Sequence, residues 1–171
     1  MRLPLPLLLL LAASPLAAQS GNHVAGTVRD VWTPTIGYIT TAAEEMPEAK
    51  YAFRPVAGVR TFGELIGHVA GAQNMICAAV LGDPQPKEDA VEKSATTKTA
   101  LVAALKASTA YCAKAHAISD AAIHQEITIW GEKRSKLWAL VTNAAHDDEH
   151  YGNIVTYLRM NGMVPPSSRG Q

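Results

Sequence analysis

Between Ser135 and Asn161 the chain carries an unbroken helical pattern with no proline, and it stops at Asn161-Gly162 with Pro165-Pro166 beyond. At 1.5 Å per residue a helix over 135–161 is about 40 Å long. Leu137, Trp138, Leu140, Val141, Ile154 and Leu158 give it apolar surface along its length. A rod of that length is covered only by other long elements, which constrains the fold to packed helices.

Three further segments supply the partners. Residues 24–46 place Val28, Val31, Trp32, Ile36, Ile39, Ala43 and Met46 near a 3.6-residue period. Pro34 either opens a second segment with Thr33 as its N-cap or kinks one longer helix. Thr61-Phe62-Gly63-Glu64 reads as a capping box, and the helix it opens runs through Leu65, His68, Ala72, Met75, Ile76 and Ala79 to Gly82-Asp83-Pro84. The third helix spans about Thr97 to His116, with Leu101, Leu105, Ser108 and Cys112 on one side. The polar stretch 83–97 is long for a tight turn and is expected to cross the end of the bundle. Glu126 to Trp130 reads as extended, punctuated by Gly131. The expected fold is all-α, a four-helix bundle with a long crossover between helices two and three.

The N-terminus has a different character. Arg2, the apolar run Leu7 to Leu11 and the small-residue exit Leu16-Ala17-Ala18 match a secretory signal peptide over residues 1–18. Residues 19–171 are then one exported domain, periplasmic or extracellular, and no other segment is expected to reach the roughly 20 apolar residues of a membrane span. The whole chain has 15 Lys and Arg against 15 Asp and Glu, without a basic cluster, so nothing electrostatic points to nucleic acid. Cys77 and Cys112 allow a single pairing. In an exported protein an even count favours a disulfide, worth about 3–4 kcal/mol by loop closure, over two buried thiols.

His146 and His150 lie four residues apart on the last helix, on one face, separated by about 6 Å along the axis. Imidazoles so placed can both reach one divalent ion, and His68 on the second helix could complete a three-nitrogen site. Relative to His146, Asn153 lies at about −20°, Tyr157 at about +20° and Glu149 at about −60° around that helix. Polar groups on a face otherwise suited to the core need partners, which a metal and its surroundings provide. Glu64 sits one turn before His68 but is accounted for by the capping box, and Cys77 points to the opposite side of that helix. His116 closes the third helix, where a cation is favoured; neither it nor His23 or His124 is assigned to a metal.

Thr61-Phe62-Gly63-Glu64-Leu65-Ile66-Gly67-His68, the His146–Tyr157 segment and the tail Leu158-Arg159-Met160-Asn161-Gly162-Met163-Val164-Pro165-Pro166 together resemble the DinB-like superfamily, more narrowly its exported bacterial members. The resemblance covers about residues 24–168 and extends to the cysteine pair. It implies a four-helix bundle of up-down-down-up order, often a homodimer, with a divalent metal held by three histidines, here His68, His146 and His150. Characterised cytoplasmic relatives include thiol-dependent S-transferases and an isomerase; DNA repair is not implied by the name. The expected function is a metal-dependent hydrolase or group transferase acting on a small molecule, with zinc or nickel as the metal. Glu149 and Tyr157 are the candidates for proton transfer. The alternative is a non-enzymatic metal-binding or structural bundle.

Overall fold

A computed structural model describes residues 23–170; the signal peptide expected at 1–18 lies outside the described residues. Four long helices form the bundle: α1 (His23–Glu45), α2 (Phe62–Leu81), α4 (Lys98–Ala115) and α5 (Lys136–Met160). A five-residue helix, α3 (Ala90–Ser94), sits within the crossover, and strands β1 (Glu126–Ile129) and β2 (Glu132–Ser135) form an antiparallel hairpin before α5.

Local chemistry sets the boundaries. The Thr61 side chain accepts from the Glu64 backbone N–H, while Glu64 accepts from Thr61 N at 2.6 Å, so the capping box is complete. Gly82 closes α2 in the left-handed region at φ 84°, which glycine adopts without a Cβ clash. Thr97 and Ser135 cap α4 and α5 through their side-chain oxygens. Pro34 is contained within a single helix, so the first helical segment is not split. The extended reading of residues 126–130 resolves into β1 and a tight turn at Trp130-Gly131, where both residues have positive φ.

α1 packs on α5 and α4, and α2 packs on α4 and α5; α1 and α2 therefore face each other across the bundle diagonal. Ile39, Phe62, Ile66, Ile76, Leu105, Leu140 and Ile154 are wholly buried between them. α2 is the innermost helix. Its 20 residues and mean hydropathy of 1.2 meet the length and composition of a membrane span, contrary to the sequence expectation, but most of that apolar surface is spent on the bundle core. Cys77 and Cys112 form a disulfide joining α2 to α4, with Cα atoms 5.3 Å apart.

The crossover does more than span the bundle's end. Its backbone lies directly on α2 at two glycines: a Cβ at Gly71 would sit 1.9 Å from the Glu88 carbonyl oxygen, and one at Gly67 would sit 2.8 Å from Glu92 Cα. Only side-chain-free positions admit a backbone so close.

Candidate metal centre

α2 and α5 pack side by side, and three histidines meet at their contact. His68 projects from α2 one residue after Gly67, and His146 and His150 project from successive turns of α5. Their Nε2 atoms converge: His68 to His146 is 3.1 Å and His146 to His150 is 3.0 Å. One nitrogen from each ring lies within 4.8 Å of the others, a group that could hold a metal ion. Burial pushes the His68 pKa down to about 4, and Arg60 and His146 act in the same direction. His150 falls to about 3, through burial first and then His146, His68 and Arg60. Neutral rings keep one unprotonated nitrogen each, so the donor set suits a divalent cation. His146 Nδ1 and His150 Nδ1 are moreover buried without a hydrogen-bond partner among the described residues. The residues fit a metal.

Carboxylates surround the cluster. Asp147, wholly buried, accepts from Trp32 Nε1 at 3.0 Å, and its other oxygen stands 3.8 Å from His146 Nδ1. Burial raises the Asp147 pKa, opposed by His146 and by the Trp32 N–H. At 3.8 Å Asp147 makes no hydrogen bond to the ring, but it places a buried acid directly behind His146, a residue that the histidine spacing alone does not single out. Its signal in the sequence was slight, because neighbours one residue apart on a helix do not face each other. Glu64 remains with its cap and with Arg54, as expected. The acids beside His68 come instead from the crossover: Glu92 lies 3.8 Å from Nδ1 and Glu88 lies 3.7 Å from Nε2.

A cleft of about 630 Å³ opens beside His150, lined among others by Arg60, Leu65, Glu149, Asn153 and Tyr157. Glu149 is exposed on its rim. Tyr157 is buried, and its hydroxyl donates to the Arg60 carbonyl at 2.6 Å; burial raises its pKa. It thereby holds the segment that carries Arg60 against the cleft. Asn153 donates to the Glu149 carbonyl at 3.2 Å.

His116 departs from expectation. It is buried, stacked on Trp32 at 4.3 Å, and its Nε2 lies 3.1 Å from Asn143 Oδ1. Burial lowers its pKa, so the neutral ring is favoured in place of the helix-terminal cation.

The DinB superfamily pattern matches residues 35–154, most of the chain. The chain belongs to the DinB superfamily. Its fold is similar to that of a DinB-like protein from Bacillus cereus, with TM-score 0.71 and 13% identity over 82% of this chain and 95% of that one. A DinB family protein from Exiguobacterium sibiricum gives TM-score 0.61 and 20% identity over 81% and 92% of the two chains. A DinB-like protein from Bacillus subtilis gives 0.54 and 16% over 85% and 99%. At these identities the likeness speaks for the DinB fold. Among curated proteins no relative matches.

Proposed function

We propose that this DinB-superfamily protein is an exported metal-dependent enzyme, a hydrolase or group transferase for a small molecule, with zinc or nickel held by His68, His146 and His150. The convergence of three imidazole nitrogens beside an open cleft carries the reading. A divalent ion there would supply Lewis acidity to a polar bond of the substrate. Leu65 and Arg60 offer the cleft one apolar and one cationic wall. Glu149 on the rim is the proton-transfer group, and Tyr157 serves by positioning Arg60. The buried disulfide between α2 and α4 supports export, because such bonds persist in oxidising compartments.

Elemental analysis of protein purified without an affinity histidine tag tests the metal. About one equivalent of zinc or nickel, lost in His146→Ala, is expected. Metal-stimulated turnover of ester, amide and thiol-acceptor substrates should then vanish in the same variant while its circular dichroism is retained. Turnover that survives His146→Ala would remove the three-histidine metal from the reaction.

A further inference from the structure

The crossover of 83–97 is laid onto α2 at the level of His68, and this placement has been built into the helix. Gly67 and Gly71 flank His68, and each is a position where a single Cβ would collide with crossover backbone. The contact brings two carboxylates to one ring. Glu92 is committed: it pairs with Arg60 at 3.1 Å and faces the Nδ1 side of His68. Glu88 is not. Its Oε1 lies 3.7 Å from Nε2, the same nitrogen that meets the His146 ring. Among the described residues it makes no other ion pair within salt-bridge distance, and its side chain is 37% exposed, free to turn about its own bonds.

The charge balance gives this carboxylate a purpose. Imidazole ligands carry no negative charge, so a divalent ion held by histidines alone would keep both its charges in a half-buried pocket, where an uncompensated charge is costly. Asp147 stands behind His146 on the Nδ1 side, and Glu92 is already neutralised by Arg60. Glu88 is the acid that faces the Nε2 of His68, whereas Glu149 stands on the exposed rim beside His150.

We propose that Glu88 is a fourth protein ligand of the metal, delivered by the crossover, so that metal binding fastens this strap onto α2. The inference rests on the three-histidine reading. It adds an anionic oxygen to the nitrogen set and makes the crossover part of the site. Oxygen and imidazole together suit zinc, nickel and other borderline divalent ions.

The test compares wild type, Glu88→Gln, Asp89→Asn and His146→Ala, each checked by circular dichroism. Zinc affinity is read by competition with a chromophoric chelator, and the coordination sphere by the visible absorption of the cobalt-substituted protein. Glu88→Gln is expected to weaken zinc by at least about tenfold, in the range set by losing a group at a metal site, and to shift the cobalt bands. Asp89→Asn removes the same charge from the adjacent, half-exposed position, where the carboxylate pairs with Lys93 and not with a histidine, and is expected to leave both readouts near wild type. Hydrogen exchange over 84–89 should slow on adding zinc to wild type and should not slow in Glu88→Gln. An unchanged cobalt spectrum, or equal losses in Glu88→Gln and Asp89→Asn, would overturn the ligand role while leaving three histidines in place. Absence of zinc binding in wild type would overturn both readings, and binding abolished only by His146→Ala would overturn this one alone.

Discussion

His68 and His150 sit in the folded chain with pKa values near 4 and 3, against an ordinary 6.5. Between those values the unfolded chain binds more protons than the folded one, so stability from these residues rises with pH. It is fully present above about pH 6.5 and is lost as pH falls toward 4 and 3. Chelator-treated protein should therefore show a falling urea midpoint as the pH is lowered below about 6.5. Because Asp147 titrates in the opposite sense, the comparison is with His68→Gln/His150→Gln, in which that part of the slope should disappear. A slope unchanged in the double variant would mean that the two rings are not held neutral by burial. Asp147 itself makes a second, independent expectation. Asp147→Asn keeps the shape and the acceptor for Trp32 but removes the charge behind His146, and should weaken zinc about 10–100-fold. Trp32→Phe, which removes the Nε1 donor to Asp147, should act in the same direction by less.

At the level of the elements, the parts of the site that lie on regular helix were readable in the sequence. The spacing of His146 and His150 follows from helical geometry alone, and the Thr61–Glu64 box fixed where α2 begins and hence which way His68 points. What was not readable is the crossover, because a polar segment without a period carries no signal of which surface it lies on. Its trace was Gly67 and Gly71 one turn apart, a spacing that Gly63 continues and that ordinary core packing also produces. The same limit explains His116: position at a helix end suggested a cation, while its burial against Trp32 depends on α1, far away in the chain. Glycine at 71 can be tested directly. In Gly71→Ala the new Cβ would overlap the Glu88 carbonyl, an atom of backbone that cannot turn aside. The crossover must lift, and the variant should lose about 1–3 kcal/mol of stability, the usual cost of overpacking. Gly152→Ala, on the exposed side of α5 with open space at its Cβ, is the matched substitution that should be neutral or slightly stabilising. Equal melting temperatures for the two variants would show that the crossover does not rest on α2.

Over the whole molecule, α2 is tied to its neighbours by two different chemistries. Near its C-terminal half the Cys77–Cys112 disulfide joins it to α4, and near its N-terminal half His68 faces α5. The two ties are nine residues apart along α2, about 13 Å by helical rise, and share no partner. They also act on different states. The disulfide restricts the unfolded chain and is worth about 3–4 kcal/mol whether or not metal is present. Metal acts on the folded state by mass action, about 2.7 kcal/mol when free metal exceeds the dissociation constant a hundredfold. Sites so separated are expected to add within about 0.5 kcal/mol. Urea unfolding of wild type and Cys77→Ala/Cys112→Ala, each with zinc and with chelator, should give four stabilities in which the two losses sum. A loss on chelation that grows sharply once the disulfide is gone would mean that the bond holds α2 in the register the histidines need, and that the two ties act as one.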